Sequence, residues 1–188
     1  MLITQSQNLK IRLLLDEDDQ LLVRWLSNPL VLEYYEGRDK PHDVSLVRQH
    51  FYEDRDRVTS GIIQYQDQDI GYIQIYPIDS EEEALYGFEN TYEVIYGMDQ
   101  FIGETEYWNK GVGTELIEMM IKFITGEKNA TRIVIDPQTW NKRAIRVYEK
   151  CGFTKQRLLP KHEWHEGEYR DCWLMVFDQK DRVQTVIN

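Results

Sequence analysis

Between residues 92 and 153 the apolar positions alternate between strand spacing and helix spacing, and this alternation constrains the fold more than any other feature of the chain. Tyr92 to Ile102 reads as a strand interrupted by Gly97. Gly111 to Thr125 is the strongest helical segment, with Val112, Leu116, Met119, Met120 and Phe123 recurring on one face. Thr131 to Ile135 is a short β-branched run ending at Asp136-Pro137. Asn141 to Lys150 is a second helix, stopped at Cys151-Gly152, where glycine suits a left-handed cap. Strand, helix, strand and helix in immediate succession call for a sheet with helices laid across it, so the class is mixed α/β.

The flanking segments supply more of both. Lys10 to Leu15 reads as a first strand, and Asp16 as the N-cap of a helix burying Leu21, Leu22, Trp25 and Leu26. Asn28-Pro29 ends that helix, and Asp43 to Tyr52 forms another. Ser60 to Gln66 and Ile70 to Tyr76 alternate across Asp67-Gln68-Asp69 as a hairpin. Pro77 to Thr91 is an acidic loop or excursion, and Phe153 to Leu159 and Glu168 to Phe177 are closing strands joined by a polar turn. There is no internal repeat and no linker. At about 150 residues per domain, 188 residues give one domain over 1–178, with 179–188 as a frayed tail.

Charge narrows the partners. Lys plus Arg number 22 against 33 Asp plus Glu, a net of −11. Such a field disfavours nucleic acid, whose binding rests on neutralising phosphates, and draws polycations. No apolar run approaches the ~20 residues of a membrane helix. No leader pattern opens the chain, and Cys151 and Cys172 form no CxxC pair, so a cytoplasmic protein with reduced thiols and no membrane association is expected. His162-Glu163-Trp164-His165-Glu166 lacks the His-Glu-x-x-His spacing of a zinc helix, and no metal is expected there or elsewhere.

Lys110-Gly111-Val112-Gly113-Thr114 lies between a strand and the strong helix, where glycines admit a ligand to the free N–H groups of the first turn. The motif is neither a P-loop nor a dinucleotide fingerprint, since position 116 is Leu116. Downstream stand Asp136-Pro137 and Asn141-x-x-Ala144-x-x-x-Tyr148-x-x-x-Gly152-Phe153. Taken together, this pattern over 92–153 resembles the acetyl-CoA core of the GCN5-related N-acetyltransferases. One departure is Trp108, three residues before Gly111, where that family usually has Gln or Arg. Tyr96-Gly97-Met98-Asp99-Gln100-Phe101-Ile102-Gly103-Glu104 and Tyr107-Trp108-Asn109-Lys110-Gly111 are similar to the aminoglycoside 6′-N-acetyltransferases, including the acetyltransferase half of the bifunctional acetyltransferase–phosphotransferase resistance enzymes. Val31 to Asp39, Ile70 to Tyr76 and His165-Glu166-Gly167 extend that similarity.

The resemblance implies an α/β (α+β) fold with a mixed, mostly antiparallel central sheet flanked by helices, whose splayed central strands hold the cofactor. It implies direct acetyl transfer from acetyl-CoA to the 6′-amine of an aminoglycoside, with coenzyme A as product. Asp99 matches the carboxylate facing the reacting amine, and Tyr148 the tyrosine beside the coenzyme sulfur. Gln100, Phe101, Ile102, Asn109, Lys110, Gly111, Val112, Gly113, Thr114, Asn141, Ala144 and Tyr148 would hold the cofactor. Tyr34, Tyr35, Glu36, Gln74, Tyr76, Asp99, Asp136 and Glu166 would meet the substrate. The implied partner is a cationic small molecule, with a monomer expected and a dimer as the alternative. Acetylation of a polyamine or a protein N-terminus is the second reading, and a non-catalytic acyl-CoA-binding module the third.

Overall fold

The computed structural model describes residues 1–89 and 91–180. Eight strands form one sheet: β1 (Leu2–Gln5), β2 (Leu9–Leu13), β3 (Thr59–Tyr65), β4 (Gln68–Pro77), β5 (Ile95–Ile102), β6 (Arg132–Ile135), β7 (Thr154–His165) and β8 (Glu168–Asp178). Their spatial order is β1-β2-β3-β4-β5-β6-β8-β7. Every neighbouring pair is antiparallel except β5 and β6, which run parallel. The helices are α1 (Asp19–Trp25), α2 (Pro29–Leu32), α3 (Val44–Tyr52), α4 (Ser80–Tyr86), α5 (Val112–Glu127) and α6 (Lys142–Lys150).

Strand alternation divides the core into two layers. Ile62, Tyr72 and Phe101 face Leu22, Trp25, Leu26, Val31, Val47 and Phe51 of α1 to α3. The adjoining Ile63, Ile73 and Met98 face Leu116, Met120 and Ile145 of α5 and α6. A smaller cluster joins Ile95, Leu159, Leu174 and Val176 to Tyr86 and Phe88 at the α4 end.

Several local expectations are corrected. β1 lies before the first expected strand and pairs with β2. Asp16 caps nothing: the Asp18 carboxylate accepts from Leu15 N (2.8 Å) and binds Arg12 through both oxygens, at 2.7 and 2.8 Å. Asn28-Pro29 opens a helix rather than only ending one, because Asn28 accepts from Leu30 N and Pro29 occupies the first turn of α2. The acidic stretch holds α4, where Asp79 and Glu82 form a reciprocal capping box. Gly97 does not interrupt β5, which stays paired there to Tyr76 and Val134. The closing hairpin extends to His165, so the polar turn shrinks to Glu166-Gly167. The expected tail at 179–188 lies, beyond Lys180, outside the described residues.

Gly71 fixes how closely β4 approaches β5. A Cβ there would sit 2.3 Å from the Phe101 carbonyl oxygen and 2.9 Å from the Ile102 Cα, both backbone atoms of the neighbouring strand. Gly71→Ala should therefore lower the unfolding free energy by about 1–3 kcal/mol, typical of overpacking. Urea denaturation should show the midpoint falling with an unchanged slope, and an unaltered midpoint would mean the strands separate freely.

Candidate active site

β5 is paired with β4 from Tyr96 to Ile102, but with β6 only from Ile95↔Arg132 to Gly97↔Val134. β6 stops at Ile135, and Pro137 has no N–H to continue the ladder. Beyond Gly97 the two strands diverge, and the gap opens into a cavity of about 810 Å³. Consecutive residues of β5 reach it from opposite faces of the sheet. Asp99 shares the face of Phe101 with α1 to α3, and Gln100 shares the face of Met98 with α5 and α6.

On the first face Gln74, in register with Asp99, donates its amide to Asp99 Oδ2 at 2.9 Å. The Tyr72 hydroxyl lies 2.9 Å from both Gln74 Oε1 and Ser60 Oγ and so orients that amide. Removal from bulk solvent, reinforced by the Asp136 charge, pushes the Asp99 carboxyl up from 3.8 to about 7, against the opposing hydrogen bonds from Gln74 and Tyr76. On the other face Gln100 Nε2 donates to the Tyr148 hydroxyl oxygen at 2.7 Å. Burial, and secondarily Asp99, hold the Tyr148 phenol well above its usual range, so it keeps a proton to donate. Gln100 Oε1 is buried with no hydrogen-bond partner, which leaves an acceptor for a bound molecule.

The walls are acidic. Asp136 Oδ2 lies 2.7 Å from His162 Nε2 and 3.2 Å from the Tyr86 hydroxyl. That carboxylate raises the His162 imidazole. The Glu163 carboxyl, 3.7 Å from Cys172 Sγ, is held above its ordinary value chiefly by desolvation. Glu36 and Glu82 add two more carboxyls, paired to Lys40 at 3.3 Å and Arg57 at 2.6 Å. The cationic exception is Arg143, whose guanidinium lies 4.0 Å from the Trp108 ring and 4.2 Å from the Tyr34 ring.

The other end of the cavity is a backbone cradle. Gly111 adopts φ 84°, a left-handed conformation, and leads into α5 with no side-chain cap. A Cβ on Gly111 or Gly113 would meet nothing within 4 Å, so the approach to the first-turn N–H groups is open. These groups and the orphaned Gln100 acceptor fit a long anionic thioester donor whose phosphates rest on a helix start.

Most of the expected site residues converge. Tyr34, Tyr35, Glu36, Gln74, Tyr76, Asp99, Gln100, Phe101, Ile102, Asn109, Gly111, Gly113, Thr114, Asp136, Asn141, Ala144 and Tyr148 all line the cavity. Glu166 does not: it chelates Arg38 at 2.6 and 2.7 Å, which pulls its carboxyl down to about 2, and so ties the hairpin turn to the segment after Gly37. The Lys110 side chain is exposed with its ammonium 5.9 Å from the Tyr107 ring, and Val112 is a core residue, so only their backbone groups are placed for a ligand. Asn141 Oδ1 accepts from Ala144 N as the cap of α6, and Ile102 O already accepts from Trp108 Nε1 at 2.8 Å. Sequence reasoning missed Glu82, Tyr86, Gln138, Trp140, Arg143, His162 and Glu163. The Asp79 to Glu82 capping signature could have placed α4, and Pro160 could have marked the irregular register between Leu159 and Glu163, although not which side chains it turns inward.

A cleft through a splayed sheet, with an anion cradle on one face and a carboxyl opposite, is the arrangement expected of a group-transfer enzyme. The acetyltransferase (GNAT) domain family matches residues 15–160, and the chain belongs to that family: it is an acetyltransferase. It is 28% identical over 154 residues to an aminoglycoside N(6′)-acetyltransferase type 1 from Klebsiella pneumoniae, covering 80% of this chain and 76% of the relative. Among solved structures it is similar to the aminoglycoside acetyltransferase AAC(6′)-Ib in complex with coenzyme A, at a TM-score of 0.75 and 24% identity, over 95% of this chain and 99% of that one. A spermidine N-acetyltransferase from Vibrio cholerae matches at a TM-score of 0.75 and 18% identity, over 95% and 99% of the two chains. The last two likenesses concern the fold.

Asp99 also sets a pH dependence of stability. The folded protein holds this proton more tightly than the unfolded chain, because the carboxyl moves from 3.8 to about 7. Its contribution is therefore fully present below the lower value and is lost as pH rises through the upper one. Asp99→Asn cannot ionise and should gain stability over the wild type as pH increases. Denaturant midpoints compared across roughly pH 5 to 8 should diverge in the variant's favour, and parallel curves would mean that Asp99 titrates normally.

Proposed function

We propose that the protein transfers the acetyl group of acetyl-CoA to the 6′-amine of an aminoglycoside antibiotic and thereby confers resistance. The observation that carries this reading is the cavity's charge: Asp99, Asp136, Glu163 and Glu36 surround the amine side, while the helix cradle faces the donor side. A small polycation offsets the repulsion among those carboxylates, and 28% identity to an aminoglycoside N(6′)-acetyltransferase supports the same choice.

In the reaction, the donor supplies an activated acetyl carbonyl. The amine arrives as an ammonium beside Asp99, whose carboxylate accepts the proton directly or through water. The neutral amine forms the C–N bond, the positively charged nitrogen of the adduct gives up its second proton to solvent, and the C–S bond breaks to release the thiolate. The Tyr148 hydroxyl, oriented by Gln100, donates its hydrogen bond to that sulfur. With a proton held so firmly, Tyr148 acts first as a hydrogen-bond donor and transfers its proton only as charge builds on the sulfur. Acetylation removes a cationic amine from the drug and so weakens its pairing with ribosomal RNA. The cytoplasm is the compartment this reading implies, and a single domain over 1–178 is the unit proposed.

Acetylation of a polyamine is the second reading, favoured by the same carboxylates and by the fold of the spermidine enzyme. A thiol-release assay with kanamycin, a 6′-hydroxyl aminoglycoside, spermidine and an Ala-terminated peptide separates the readings. Turnover restricted to 6′-amino drugs is expected; turnover of spermidine alone would overturn the proposal. Asp99→Asn should reduce kcat/KM about 10²- to 10⁴-fold with acetyl-CoA binding unchanged. The wild-type kcat/KM should fall as pH drops below about 7, and the variant should lose that limb. Tyr148→Phe should cost about 10²-fold in kcat. A folded variant at full rate would make Tyr148 a packing residue.

The cradle yields a separate expectation. Gly111→Val places a branched side chain at φ 84° in the mouth of the donor site and should raise the acetyl-CoA KM about tenfold or more. Equilibrium dialysis with coenzyme A checks it, and undiminished binding would place the donor elsewhere.

A further inference from the structure

At the edge of the cavity that Glu36 lines, Glu36, His42 and His50 bring one carboxylate oxygen and two imidazole nitrogens within 4.8 Å of one another. His42 lies just before α3, His50 lies near its C-terminal end, and Glu36 belongs to the segment after α2. His42 is 2% exposed, and its Nδ1 lies 2.9 Å from the Lys40 carbonyl oxygen, which can only accept. Nδ1 therefore carries the hydrogen, and the lone pair of Nε2 points at His50 Nδ1, 3.3 Å away. Glu36 Oε1 lies 3.8 Å from that same nitrogen, while Lys40 holds the other carboxylate oxygen at 3.3 Å.

We infer that these three side chains form a zinc(II) site, with His42 Nε2, His50 Nδ1 and Glu36 Oε1 as ligands and a solvent molecule in the fourth position. Bonds of about 2.0–2.2 Å at tetrahedral angles separate ligand atoms by roughly 3.3–3.5 Å; the His42–His50 separation of 3.3 Å already matches, and Glu36, at 3.8 Å from His50, needs only a small side-chain shift. A ligating histidine usually donates its second nitrogen to a carbonyl or carboxylate, as His42 does. Two imidazoles with one carboxylate suit zinc and the neighbouring first-row divalent ions, while calcium and magnesium prefer all-oxygen shells. His50 is exposed, which gives the ion a path in and leaves room for the solvent ligand. Glu36 holds φ 69°, so the chain keeps this carboxylate in place at a backbone cost. Bound metal would tie the segment 33–43 to α3 and stiffen the wall that carries Tyr34 and Tyr35.

The test uses the full chain, freed of any histidine tag and treated with chelator. Calorimetric titration with zinc sulfate should show one ion per chain, and zinc should raise the melting temperature. His50→Ala removes the hydrogen bond to the buried His42 Nε2 and so should melt somewhat lower without metal; against that metal-free baseline it should weaken zinc binding about 10- to 100-fold or more and abolish the zinc-induced thermal shift. Glu36→Gln should weaken it too. Cobalt(II) should give the absorption of a four-coordinate nitrogen–oxygen site without a thiolate charge-transfer band. The absence of saturable binding would overturn the inference. So would binding unchanged in His50→Ala, or a thiolate band, which would move the ion to His162, Glu163 and Cys172.

Discussion

From Met98 onward, β5 is hydrogen-bonded to β4 on one side and to no strand on the other. An interior strand with an open edge is costly unless something satisfies its backbone groups. Trp108 meets part of that demand by donating its indole N–H to Ile102 O. The rest of the edge faces the cavity, and in the proposed reaction it is where the acetyl donor lies. The same gap brings the two faces of the sheet together. Asp99 and Gln100 are adjacent in sequence and point to opposite faces, yet both reach one cavity. A continuous sheet would keep an amine near Asp99 from a thioester near Tyr148.

How this edge is held explains why the surrounding residues are so varied. The short β6 ends before a proline, α5 begins at a glycine with φ 84°, and α6 is capped by Asn141. Each device ends an element at the cavity rim rather than carrying it across. Trp108 stands where the related enzymes usually place Gln or Arg, and its ring lies 4.0 Å from the Arg143 guanidinium. A cation is thus supplied to the rim from α6 instead of from the loop itself.

The elements legible in the sequence were those whose signal is local. α5 and α6 have long apolar stripes and clear glycine boundaries, and both form where expected. The β3–β4 hairpin likewise follows its alternation, although the turn itself is Gln66-Asp67 in left-handed conformation. The site was legible where resemblance fixed a position on a regular strand or helix, as for Asp99, Gln74 and Tyr148. It was illegible where a register irregularity decides orientation, because Pro160 marks a break in the strand but not which side chains turn inward. Between Leu159 and Glu163 the pairing shifts, and Lys161 takes φ 50°. His162 and Glu163, neighbours on one strand, both line the cavity, while Glu166 at the turn is taken by Arg38. The zinc-type cluster was illegible for another reason: Glu36, His42 and His50 follow no motif spacing and meet only because α3 folds back over the segment after α2.

The acidic wall has two consequences that cannot be separated. Asp136 lies close enough to Asp99 to help lift its carboxyl to about 7, so part of the free protein carries that group protonated near neutral pH. Mutual repulsion of this kind costs stability, and at functional sites that cost is common. A bound ammonium reverses it, since an opposite charge within a few ångströms favours the ionised carboxylate. In the proposed reaction the substrate therefore helps to prepare its own acceptor: its other ammonium groups meet Asp136 and Glu163, the repulsion on Asp99 falls, and the carboxylate ionises beside the amine that must lose a proton. A neutral amine of the same shape would bring no such compensation. In the proposed reaction, selectivity for polycations would then follow from the energetics of one carboxyl as much as from the shape of the pocket.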